Sequence, residues 1–177
     1  MVNDFVQEAL KQIALAAASN QGASAKLNEY VQMSFGDLSK LDVRKWNLHP
    51  VVHVNVGNAT LTGVGYNVMQ LDLEIMCFKV IDIDREMDLR MTDNLNFFQG
   101  AEATNIVPAL NDCLYIMNNI IAVFSRGSAF TSKVQIVDGD VSLQPFVEYL
   151  ENNLAGWATT ITIQMPNTNM RVCSNGY

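Results

Sequence analysis

The chain has 177 residues, 49% of them hydrophobic and 16% charged, with 11 basic against 18 acidic residues and a formal charge of −7. A length near ~150 residues per domain predicts one α+β domain over residues 1–177, with enough interior to hold a core without staples. The acidic balance excludes a global basic footprint for reading nucleic acid or for gripping anionic lipid, and charge content below the usual ~25% leaves weakly polar surface for partners to cover.

The three cysteines, Cys77, Cys113 and Cys173, are odd in number and widely spaced, which argues against a disulfide framework and against a CxxC zinc site. Cys77 and Cys113 fall in apolar segments and read as small core residues; Cys173 reads as a surface thiol. The first residues predict no secretory leader, because Asp4 and Glu8 stand where a basic region belongs. The longest apolar window, Ile106 to Phe124, carries Asn111, Asp112, Asn118 and Asn119 and predicts no membrane span.

In chain order, Asn3 or Asp4 caps a first helix to about Ser19. Val2, Phe5, Val6, Ala9, Leu10, Ile13 and Ala17 form its apolar stripe, with Gln7, Glu8, Lys11 and Gln12 off it. Ala14 to Ala18 let another backbone approach closely, in the core or on a neighbouring subunit. Residues 21–48 read as mostly loop. Pro50 biases His49 toward an extended backbone, and Val51 to Val56 alternate as a strand, with Gly57-Asn58 as a turn. Val68 to Asp84 is the strongest strand signal. Leu71, Leu73, Ile75 and Cys77 lie on one face, which Lys79 interrupts, and Asp72 and Glu74 lie on the other with Met76, Phe78 and Val80.

A second helical region, about Met91 to Ser125, places Pro108 in the first turn of a helix capped by Asn105. Its stripe reads Ile106, Leu110, Leu114, Met117, Ile121 and Phe124. Asp138-Gly139 predicts a hairpin joining 133–137 to 141–143. A last strand spans Trp157 to Met165, and the tail from about 168 reads as loop. The order predicts a mainly antiparallel β-sheet covered by an N-terminal helix and a long central helix.

Chemistry is sparse. His49 and His53 have HxxxH spacing, but on a strand they stand ~13 Å apart and cannot share an ion. Asp82, Asp84, Glu86 and Asp88 form the densest acidic run. It reads as a wet strand end or as an acidic strip facing a pore or partner; as paired carboxylates it resembles a site for a hard cation. No phosphate loop and no nucleophile elbow occur. The residues therefore predict no enzyme, no cofactor and no metal. Phe130 and Phe146, in loop-like contexts, are candidate contacts between copies.

The run Asn152-Asn153-Leu154-Ala155-Gly156-Trp157, continued by Thr159-Thr160-Ile161-Thr162-Ile163-Gln164-Met165-Pro166-Asn167, resembles the ends of head–tail connector and tail-completion (neck ring) proteins of tailed bacteriophages. In those a Gly-Trp step enters a final strand that closes in a Pro-Asn turn. Leu110 to Ile120 is similar to their middle helix and Val68 to Asp84 to the long strand before it. The resemblance implies that Gly156, Trp157 and Pro166 are structural residues. It implies a non-catalytic virion subunit packed with identical copies in rings of six or twelve. Such a subunit is made in the bacterial host cytoplasm, adjoins portal, neck or tail proteins, and lets DNA pass without specific binding. No membrane is involved. Two other classes stay open on the residues: a small-ligand-binding α+β domain, and a metal-dependent enzyme using Asp82 and Asp84.

Overall fold

The computed structural model describes residues 2–18, 31–36, 50–81, 106–126, 134–137, 139–147 and 153–166. Helix α1 spans Val2–Ala18. Strands β1 (Gln32–Phe35), β2 (Val51–Thr62) and β3 (Val68–Val80) follow. Helix α2 is Ile106–Arg126, and β4 (Gln135–Ile136), β5 (Gln144–Val147) and β6 (Leu154–Pro166) complete the order. This is the expected α+β class, with one mixed six-stranded sheet.

The sheet runs β1-β2-β3-β6-β4, and β5 also pairs with β6. Among the described residues only β1 and β2 are parallel; β2, β3 and β6 form an antiparallel centre, flanked on β6 by antiparallel β4 and β5. The long β2, β3 and β6 follow from alternating β-branched and apolar residues, which suit a half-buried pleat. On one face, Val52, Val54, Leu71, Leu73, Ile75, Cys77, Ile161 and Ile163 meet α1 and α2 in the main core. The opposite face carries a second, smaller cluster of Val51, Phe78 and Leu154, with Met76 and Phe146 against it.

Helix α1 begins at Val2, so Asn3 and Asp4 lie in its first turn and not at its cap. Phe5, Ala9, Ile13 and Ala17 are buried as expected, within the chain's own core. Gln12 is also buried, against expectation; its Nε2 donates to Glu8 Oε1 at 2.6 Å, which offsets the cost of leaving water.

The stripe on α2 is shifted by about one residue. Met117 and Phe124 are buried, but the other buried positions are Ala109, Cys113, Ile116 and Ile120, while Ile106, Leu110, Leu114 and Ile121 are half-buried. The helix is apolar around most of its circumference, and the small Ala109 and Cys113 face the interior. By length and composition alone α2 is apolar enough to cross a membrane; here one side of it packs into the main core.

Two turn expectations are corrected. Gly57-Asn58 does not end a strand: β2 continues to Thr62 across a bulge between Val56 and Ala59, where the pairing advances three residues on β2 for two on β3. The turn comes after it, with a single 3-10 turn at Val64–Tyr66 and left-handed Gly63 and Gly65 (φ 82° and 70°), a region open to glycine at little cost. Nor do the described residues on either side of Asp138 pair with each other as a hairpin. Segments β4 and β5 lie end to end along β6, opposite Ile163–Gln164 and Ala155–Ala158, because the long, unsatisfied edge of β6 outcompetes a short local pairing.

The strand expected to run to Asp84 ends at Val80, with Ile81 N donating to Asn153 O at 2.7 Å. His49, Phe130, Cys173, the tail from 168 and the acidic residues Asp82, Asp84, Glu86 and Asp88 lie outside the described residues.

Candidate functional site

The Gly-Trp step does not enter the last strand; it lies inside it. Gly156 is the third residue of β6, directly opposite Phe78. A Cβ on Gly156 would collide with the Cys77 carbonyl oxygen and stand 2.7 Å from Phe78 Cα. The glycine is therefore set by close approach of the β3 backbone rather than by a turn. Trp157, half-buried against the main core, donates its indole Nε1–H to Leu110 O at 2.8 Å. That bond ties β6 to α2, as expected of an indole covering a core edge. Pro166 is the last residue of β6, opposite Val68, where its missing N–H costs little.

The described histidine, His53, is buried on β2 opposite Met76. Its Nδ1 lies 3.2 Å from Ser34 Oγ on the adjoining β1. The pair resembles a nucleophile and base in type, but the imidazole is shut from solvent, so it serves to join two strands. Among the described residues no three His, Cys, Asp or Glu side chains converge as a metal-ligand group.

Cys77 and Cys113, distant in sequence, meet in the core between β3 and α2, both as free thiols. Burial pushes the Cys77 thiol well above its ordinary range, helped by its hydrogen bond to Cys113. A thiol kept protonated is a poor nucleophile. Lys79, the interruption in the apolar face of β3, places Nζ 3.0 Å from Asp112 Oδ2 on α2, a cross-link that lets a cation lie at the core's edge.

Two surfaces carry the remaining chemistry. The first is an open groove of about 490 Å³ whose lining includes Glu74, Met76, Asp140, Gln144, Phe146 and Thr160. Among the described residues its lining holds two carboxylates, an amide and hydroxyls, and no basic side chain. Beside it, Asn55 Nδ2 donates to Glu74 Oε2 at 3.0 Å and Thr162 Oγ1 to Asp72 Oδ1 at 2.7 Å. Phe146, expected to be exposed, packs against the cluster of Val51, Phe78 and Leu154.

The second surface is the β2–β3 hairpin. Residues 57–61 are exposed, Leu61 is 44% exposed, Val64 at the tip 96%, and Phe35 at the end of β1 58%. No Asp, Glu, Lys or Arg occurs between Pro50 and Asp72. The sequence signal for this surface, a charge-free stretch in an acidic chain, was present but is indistinguishable from that of a buried strand.

Neither protein-family models nor curated proteins give a match to this chain.

Proposed function

We propose that this chain is a structural, non-catalytic subunit of a homo-oligomeric ring in the head–tail connector (neck) or tail of a tailed bacteriophage. The ring forms part of the channel for genome passage. Its neighbours are identical copies, then the adjoining portal, neck or tail proteins; it is made in the host cytoplasm and carried in the virion.

The observation that supports this reading best is the exposed, charge-free hairpin with Leu61 and Val64. Apolar side chains held in water are a standing cost that association removes. Copies that each carry −7 repel one another over most of their surface, so an uncharged projection is where they meet at least electrostatic cost. The same acidic balance suits a wall past which DNA slides without adhering. The C-terminal run from Asn152 to Asn167 adds the phage association by its residues alone, since its Gly156-Trp157 step lies inside β6 and not at its entry.

A second reading, a small-ligand-binding domain, draws on the groove beside Glu74, whose volume of about 490 Å³ falls among ligand pockets. Its openness to solvent favours it less. Native mass spectrometry of the parent chain and of Leu61→Asp/Val64→Asp separates the two. The ring reading expects a discrete oligomer from the parent and monomers from the variant. A parent that stays monomeric, with a small molecule protecting the groove, contradicts it.

A further inference from the structure

Among the described residues one edge of the sheet is open to a further strand. Along β4, Val134 is fully buried in the main core, so that edge is covered. Strand β5 carries Pro145, which has no N–H to donate, and β1 is short and half-buried over most of its length. Strand β2 differs. Its first residues are covered by β1, which stops at Phe35 opposite Val54, and beyond them residues 57–61 are exposed. This length holds no charge and no proline, the features with which edges ordinarily discourage pairing. The direction of its main-chain groups follows from the hydrogen bonds. Val54 O accepts from Gly36 N at 3.1 Å, so Val54 turns its polar groups away from β3 while His53 and Asn55 face it. Carried along β3 to Gln70 and Val68, the alternation turns Thr60 and Thr62 inward and leaves the N–H and C=O of Ala59 and Leu61 directed off the sheet.

We propose that this edge pairs with the same edge of a second copy, antiparallel about a two-fold axis at Thr60, with Ala59 of each copy opposite Leu61 of the other. The edge is complementary to itself in this register, since each outward N–H meets an outward C=O of the other copy. Neighbouring registers lose that match. Centring on Ala59 sets Leu61 against the bulge, and centring on Leu61 sets Ala59 against Gly63, whose φ of 82° is not extended. A second copy is the fitting occupant for two reasons. Copies of charge −7 repel, and this stretch, from Pro50 to Asp72, brings no Asp, Glu, Lys or Arg to the contact between them. Antiparallel pairing also points the end of each β2 at the end of the partner's β1, so the exposed Leu61 and Val64 approach the partner's exposed Phe35. Apolar side chains that stand in water on the single chain are thereby covered. This goes beyond the ring reading. A two-fold contact alone ends at a pair, so a ring of such pairs closes through a second, different contact and holds an even number of copies.

The direct test is Thr60→Cys in a Cys173→Ser background. Thr60 meets the partner's Thr60 at a non-hydrogen-bonded position, where Cα atoms stand ~4.5 Å apart, within disulfide reach. Thr160→Cys in the same background is the control, because Thr160 is exposed on β6, away from the β2 edge. With oxidised glutathione, Thr60→Cys is expected to give one reducible species of twice the chain mass on a denaturing gel and nothing larger. It should form at least ~10-fold faster than in the control, since paired thiols meet at a high effective concentration. Equal rates in an oligomer of parental mass overturn the pairing and leave the ring reading standing. Fast cross-linking in a parent whose largest native species is a dimer upholds the pairing and overturns the ring; a monomeric parent overturns both. Adding Leu61→Pro removes an outward N–H and no rung of the β2–β3 ladder. It is expected to keep the parental circular-dichroism spectrum and to slow cross-linking to the control rate. A folded protein that still cross-links fast also overturns the pairing.

Discussion

The indole N–H of Trp157 on β6 donates to the carbonyl oxygen of Leu110 on α2 at 2.8 Å. One side chain thereby fixes the helix layer to the strand on which β3, β4 and β5 all pair. Trp157→Ala removes both the ring's packing and the bond and is expected to cost ~3 kcal/mol, a large part of a typical ~5–15 kcal/mol. Trp157→Phe keeps most of the packing and should cost ~1 kcal/mol. Urea unfolding of the two variants checks the order; an unchanged midpoint for Trp157→Ala would show that the indole contributes nothing to the fold.

Gly156→Ala tests a close backbone approach between β6 and β3. The added methyl meets main-chain atoms of Cys77 and Phe78, which cannot swing aside as a side chain can. Strands β3 and β6 must separate locally, at a cost of ~1–3 kcal/mol or more. The expected result is a lower denaturation midpoint with an unchanged slope. A midpoint equal to the parent's would mean that the sheet yields here at no cost.

Cys77 gives a pH dependence of known sign. Its thiol is pushed up in the folded chain by burial and by Cys113, whereas the unfolded thiol ionises near ~8.5. The stabilisation is thus complete below the unfolded value. As pH rises beyond it, the unfolded chain sheds a proton that the folded chain keeps, and stability falls by up to ~1.4 kcal/mol per unit. Unfolding series from pH 7 to pH 10 should show a steeper decline for the parent than for Cys77→Ala. Equal slopes would contradict the assignment.

Leu61→Asp and Val64→Asp lie on exposed hairpin positions and should change the stability of the isolated subunit by no more than ~0.5 kcal/mol, while abolishing assembly. Thermal melts paired with sedimentation velocity read the two effects separately. A variant that assembles like the parent would remove the hairpin from the interface.

Local pattern carried much of this fold, and long-range pairing carried the rest. The alternation of Leu71, Leu73, Ile75 and Cys77 against Asp72 and Glu74 was readable because β3 is buried fully on one face and partly on the other. The face of α2 was not, since apolar residues surround it and the small Ala109 and Cys113 lie inward where Leu114 was expected. Asp138-Gly139 has the composition of a tight turn, yet its flanks pair with β6, a partner chosen by tertiary context that no local window contains. Gly156 was legible as special, but for the wrong reason: a close backbone approach and a turn select the same residue. The hairpin surface escaped notice because uncharged alternation looks alike whether a strand is covered or bare, and the meeting of Cys77 with Cys113 depends wholly on how α2 docks on β3.

Electron-microscopic imaging of the purified parent protein tests the central claim most directly. The account expects closed rings with one rotational symmetry and a central opening. Isolated single subunits at assembly concentrations, or symmetric pairs that do not close into a ring, would contradict it.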